Sequence, residues 1–189
     1  MKNSPHYSDS ELSSLGFKQV GQRCLISRKA SFYGIERIVL GDHVRIDDFC
    51  VLSAGAKGIE IGNFVHIAVF SSLIGAQKIT LCNYANISSR VSIYSSSDDY
   101  SGEYMTNPMV PAEYTNVKHG PVYISEHCII GSGAVVLPDV TIYQGGAVGA
   151  LSLVTKDVNA FTVVAGTPAK KIKDRKKNLL SLQKQLEQQ

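Results

Sequence analysis

From Ile124 onward an aliphatic side chain occupies every sixth position: Ile124, Ile130, Val136, Ile142, Val148 and Val154. Two residues before the next member stand mostly small side chains, among them Cys128, Ala134, Gly146 and Ser152. A period of six fits neither the helix nor the strand repeat of side-chain direction. It is the period of a parallel β-solenoid, in which each unit supplies one short strand and one turn. Three such units close a triangular coil.

The same pattern extends backwards. The inward aliphatic positions form six triplets: Val20, Ile26, Phe32; Leu40, Ile46, Leu52; Ile61, Ile67, Leu73; Leu81, Ile87, Ile93; Ile124, Ile130, Val136; and Ile142, Val148, Val154. Within each triplet the spacing is 6, and between triplets it is 8, 9, 8, 31 and 6. Every extra residue therefore enters after the third member, so all insertions leave at one corner. This regularity predicts an all-β fold of about six 18-residue coils. Matching places of successive coils then stack on one face.

The ends and one insertion break the pattern. Ser8 followed by Glu11 is a capping box, and Gly16 can end a helix. A helix is expected from Asp9 to Leu15, within a cap over residues 1–19 that covers the open end of the solenoid. The insertion over 96–121 is polar, carries three prolines and three tyrosines, and shows no period. An excursion of that length from a compact solenoid is usually functional. The tail over 174–189 lacks Gly and Pro. Leu179, Leu182 and Leu186 lie at helical spacing, so it reads as an amphipathic helix whose leucine face packs on the solenoid or on a neighbour. The β-helix itself is assigned to residues 20–173.

Composition adds limits. The chain has 189 residues, 19% charged and 44% hydrophobic, with net charge +3, an ordinary globular balance that gives no reason to expect nucleic acid. No apolar run approaches the roughly 20 residues that span a bilayer, and the N-terminus lacks the apolar core of a signal peptide. A cytoplasmic protein without membrane attachment is expected. Cys24, Cys50 and Cys128 occupy small inward slots, as buried reduced thiols do. His43, His66, His119 and His127 include no close pair of zinc-ligand type, and no metal is expected. Lys170, Lys171, Lys173, Arg175, Lys176 and Lys177 form a basic cluster, either a solvated face or a site for an anionic partner.

The segment VYISEHCIIGSGAVVLPDVTIYQGGAVGALSLVTKDVNAFTVVAGTPAKKIK resembles the C-terminal signature of the hexapeptide-repeat acyltransferases. The resemblance covers about residues 20–173. It implies a left-handed β-helix, a homotrimer of parallel solenoids, acetyl-CoA as donor, and active sites between subunits. VTKDV, AGTPAKKIK and the long loop before the last two coils resemble the maltose/galactoside-type acetyltransferase branch. RIDDFCVLSAG, SSLIG and SIYSSSDDYSGEYMTNP resemble, more narrowly, bacterial enzymes that acetylate the amine of dTDP-4-amino-4,6-dideoxyglucose for O-antigen assembly.

The resemblance implies that Ser132, Gly149 and Ala150 line the pantetheine path and that Thr155 and Lys156 lie near the nucleotide end of the donor. Lys170 and Lys173 would meet its phosphates. In this branch the long loop begins with a histidine that acts as general base. This chain has Ser97-Asp98-Asp99 at that place, and no histidine. A hydroxyl needs a base of the histidine kind, and an ordinary carboxylate is weaker. A neutral amine attacks a thioester unaided and needs only positioning and a proton acceptor. Asp98 and Asp99 therefore favour N-acylation over sugar O-acylation. Stacking of the coils also places Arg45, His66 and Asn86 in one outward column, where His66 is a second candidate base and Arg45 and Asn86 candidates for the acceptor, as is Arg90. A hydroxyl acceptor and a non-catalytic scaffold remain the alternative readings.

Overall fold

A computed structural model describes residues 4–188. Residues 1–3 and 189, the outer ends of the two terminal segments predicted above, lie outside the described residues. The chain winds as a left-handed parallel β-helix with three faces. The first face holds Gln19–Val20, Ile38–Leu40, Ile59–Ile61, Ile79–Leu81, Val122–Ile124 and Val140–Ile142. The second runs from Leu25–Ile26 through Arg45–Ile46, His66–Ile67, Asn86–Ile87 and Ile129–Ile130 to Ala147–Val148. The third runs from Ser31–Tyr33 through Val51–Ala54, Ser72–Gly75, Ser92–Tyr94 and Val135–Val136 to Leu153–Val154.

The six predicted triplets fall in register. On the second face Ile26 pairs with Ile46, Ile46 with Ile67, Ile67 with Ile87, Ile87 with Ile130 and Ile130 with Val148. These inward side chains form a continuous aliphatic stack, nearly all of it fully buried. Each buried Ile or Leu contributes about 1.5–3 kcal/mol relative to exposure. Cys24, Cys50 and Cys128 are buried in the same stack. Burial holds the Cys50 thiol up at about 11 and that of Cys128 at about 12.

The coil count is corrected. The sequence predicts about six coils, and a seventh, partial one follows: Val158 bridges to Ile142, and Val164 pairs with Val148. It escapes the six-residue period because only four residues separate Val154 from Val158. The strand Thr162–Gly166 then turns back, and Ala169–Asp174 pairs with it antiparallel, sealing the exposed edge of the second face.

Each corner between faces requires a sharp bend. At the first corner Arg23, His43, Phe64, Tyr84, His127 and Phe161 all have positive φ. A left-handed non-glycine residue costs roughly 1–2 kcal/mol. Stacking offsets this: His43 lies 4.4 Å from Phe64, Phe64 5.2 Å from Tyr84, and Tyr84 4.9 Å from His127, ring centre to ring centre. The second corner repeats the device with Phe49, Phe70, Arg90, Gly133 and Leu151. The third corner carries the insertions.

Helix α1 spans Asp9–Ser14, with the Ser8/Glu11 capping box formed and Leu12 buried. Helix α2 is shorter than the sequence predicts, Leu179–Leu186. Its leucines do not cover the solenoid: Leu182 is 57% and Leu186 47% exposed. Polar groups make the contact instead. Gln183 Oε1 lies 2.6 Å from His127 Nε2, and the Tyr84 hydroxyl donates to Glu187 at 3.1 Å. Gln183 and Glu187 share one side of the helix and meet the edge of the first-corner stack. No helix among the described residues is long and apolar enough to cross a membrane.

Candidate active site

The long insertion leaves and re-enters at the third corner, where Ser96–Ser97 pairs antiparallel with Lys118–His119. Two cavities flank this root and share Ser97 and Leu137. One, of about 310 Å3, is lined by Tyr94, Asp98, Tyr100 and Val135. The other, of about 400 Å3, is lined by Lys118, His119, Pro138, Asp139 and Thr155. Asp98 and Thr155, predicted at opposite ends of the reaction site, thus line adjoining cavities.

The two loop aspartates differ. Asp98 is exposed, and among the described residues no other side chain engages its carboxylate. Asp99 is buried and accepts from both Ser101 Oγ at 2.6 Å and Ser101 N at 3.1 Å. The Ser101 hydroxyl holds the Asp99 carboxyl below the usual carboxylate range. Asp99 is therefore committed to the turn, and Asp98 projects from that turn.

The predicted Arg45, His66 and Asn86 column is present on the second face, in register. Asp47, which the sequence reading passed over, joins it. Its Oδ1 accepts from Arg45 Nε at 2.7 Å and its Oδ2 lies 2.8 Å from His66 Nε2. Partial burial pushes the Asp47 pKa up, and the bonds from His66 and Arg45 outweigh this and leave it lowered. The i, i+2 spacing of Arg45 and Asp47 was the available signal. The reach of Asp47 to His66, one coil away, depends on how the second corner folds. Arg90 stands at that corner with its guanidinium 5.6 Å from the Phe70 ring.

The donor candidates divide between corners. Ser132, Gly149 and Ala150 stack at the second corner, and Leu151 N donates to Ser132 O at 2.9 Å. Gly131 permits this stack: a Cβ there would meet Ala150 N at 2.5 Å. The Gly149 N–H is taken by Val164 O at 2.8 Å, whereas Ala150 donates no hydrogen bond among the described residues. Thr155 and Lys156 lie at the third corner, exposed. Lys170 and Lys173 are exposed on the last strand, opposite Ala165 and Val163.

One separation matters most. The third corner, which carries Asp98, is the corner opposite the second face, which carries Arg45, His66 and Asn86. A single chain does not bring these groups together. No group of three or more His, Cys, Asp or Glu among the described residues is placed to hold a metal ion.

A left-handed β-helix built from hexads, with one long loop at its insertion corner, is the fold of a hexapeptide-repeat containing acetyltransferase of Vibrio cholerae, similar at 22% identity and TM-score 0.60, over 90% of this chain and 82% of that one. No family model matches the chain. Over 173 residues it is 58% identical to the dTDP-4-amino-4,6-dideoxy-D-glucose acyltransferase of Escherichia coli, covering 92% of this chain and 90% of that one. The chain belongs to that acyltransferase family. A cysteine-for-serine variant of AntD, an N-acyltransferase from Bacillus cereus solved with dTDP-4-amino-4,6-dideoxyglucose and coenzyme A, is 40% identical with TM-score 0.95, over 98% of each chain. AntD with dTDP and 3-hydroxybutyryl-CoA gives 41% and 0.94, over 98% of this chain and 97% of that one.

Proposed function

We propose that the chain transfers an acetyl group from acetyl-CoA to the 4-amine of dTDP-4-amino-4,6-dideoxyglucose, for O-antigen assembly. The observation that carries this reading is the identity of 58% along almost the whole of a relative so named. The free carboxylate of Asp98, at the head of the loop, is the supporting chemistry. The neutral amine attacks the thioester carbonyl carbon, the C–S bond breaks, and coenzyme A leaves as thiolate. The ammonium proton passes to Asp98 or to the departing sulfur. Ala150, whose N–H is uncommitted, is the oxyanion donor in this scheme; Gly149 is not.

Ser132, Gly149 and Ala150 line the pantetheine, Thr155 and Lys156 lie near the nucleotide end of the donor, and Lys170 and Lys173 meet its phosphates. The acceptor contacts Asn86 and Arg90. The active unit is a cytoplasmic homotrimer. The placement of Asp98 at the corner opposite the second face supports this, because a neighbouring copy is needed to complete the site.

Thiol release from acetyl-CoA, measured with dTDP-4-amino-4,6-dideoxyglucose and with the corresponding hydroxyl sugar, tests the reading. Turnover confined to the amino sugar is expected. Turnover of the hydroxyl sugar alone would establish O-acylation, as in the name of a relative 29% identical over 159 residues, the putative lipopolysaccharide biosynthesis O-acetyl transferase WbbJ of Escherichia coli.

A further inference from the structure

The Arg45, Asp47 and His66 cluster is built for something other than proton transfer. Strands in a sheet lie about 4.8 Å apart, so His66 stands roughly 14 Å from Ala147, three strands along the second face and beside Gly149. A general base must come within hydrogen-bond reach of its proton. With the thioester held near Ala150, His66 is far outside that reach.

The hydrogen bonds show what the cluster offers instead. An ionised carboxylate only accepts. Asp47 therefore takes the Nε–H of Arg45 and requires the proton of His66 to sit on Nε2. Among the described residues neither terminal nitrogen of Arg45 nor Nδ1 of His66 has a hydrogen-bond partner. Side-chain exposure is 55% for Arg45, 39% for His66 and 18% for Asp47. The anion thus lies beneath, and the Arg45 guanidinium and the outer edge of the His66 ring face outward. The neighbouring charges, Lys29 and Asp48, pair with each other at 2.8 Å. The outward N–H groups of Arg45 are donors that suit phosphate oxygens, and the His66 ring lies beside them on the next coil.

We propose that Arg45 and His66 hold the diphosphate of the acceptor, with Asp47 as the positioning residue that aims them. This rests on the reading of the acceptor given above. The acceptor then lies along the second corner: amine toward the thioester, pyranose ring near Asn86, diphosphate over Arg45 and His66.

Calorimetric titration of the full chain with dTDP and, separately, with thymidine tests this without turnover. Arg45→Ala and His66→Ala are expected to weaken dTDP at least tenfold and thymidine by less than twofold. In kinetics the loss appears in the KM for the amino sugar rather than in kcat. Asp47→Asn is expected to weaken dTDP, and Asp47→Glu to restore part of the loss. Should an alanine variant fail to fold, Arg45→Gln and His66→Gln carry the same comparison. Unchanged dTDP affinity, or equal loss of dTDP and thymidine, would overturn the proposal. A wild-type chain that binds dTDP but acylates no amino sugar would instead overturn the function proposed above.

Discussion

Ser96 and His119 face each other across the root of the long loop, Oγ to Nδ1 at 2.8 Å. The same hydroxyl accepts from the Ala76 N–H of the coil below at 2.9 Å. One serine therefore ties both ends of a loop of more than twenty residues to the rigid coils. Ser96→Ala leaves the half-buried Ala76 N–H without a partner, which costs about 1–3 kcal/mol. A lowered urea midpoint is expected, together with faster amide exchange at Lys118 and His119. Unaltered exchange there would show that the ladder holds without the hydroxyl.

The two loop aspartates are expected to separate in their effects. Asp98→Asn should reduce kcat about a hundredfold or more, within the range typical of general acid–base groups, with no change in thermal midpoint. Asp99→Asn should loosen the turn, seen as faster limited proteolysis within residues 100–117. The pH dependence has a definite sign. The folded pKa of Asp99 is depressed below 3.8. Its contribution is complete above that value and is lost as pH falls through the lower, folded one. Proteolysis of the loop by an acid protease should therefore accelerate toward low pH in wild type and much less so in Asp99→Asn.

The buried thiols set an alkaline limit. Burial keeps Cys128 protonated up to about 12, against an ordinary 9.0. Stability from this group is complete below pH 9.0 and is lost between the two values, because only the unfolded chain gives up its proton there. The limiting slope is about 1.4 kcal/mol per pH unit. Cys128→Ala should flatten the alkaline limb of urea stability by up to one proton. Labelling of the native chain at pH 8 should modify Cys82, the half-buried one, and spare Cys24, Cys50 and Cys128.

Gly131→Ala probes the proposed donor path. The added methyl would meet backbone, Ala150 N at 2.5 Å and Gly149 C at 2.8 Å, which cannot rotate away. A loss of about 1–3 kcal/mol is expected, with a raised KM for acetyl-CoA. An unchanged KM would place the donor elsewhere.

The period of six, read from residues alone, placed eighteen inward side chains in their observed register, from Val20 to Val154. That was possible because a solenoid repeats one contact, and every departure from it leaves by a single corner. The seventh coil was hidden where the period breaks, between Val154 and Val158. The site was less legible. Asp98 and Asp99 are adjacent in sequence and look alike. Only the fold shows that Ser101 consumes one and leaves the other free. Asp47 touches His66 across nineteen positions, a contact made between neighbouring coils that the six-residue period does not reveal. The shortfall of α2 has the same character, since Gln183 and Glu187 dock it while Leu182 and Leu186, two of the leucines that suggested it, stay exposed.

The single insertion corner also bears on how such a chain can diversify. The spacing across that corner ranges from 6 to 31 residues while every inward side chain keeps its partner above and below. The other two corners have no such freedom, because their left-handed residues are stacked coil upon coil. New loop chemistry can thus be grafted at one address, without disturbing the stacked coils.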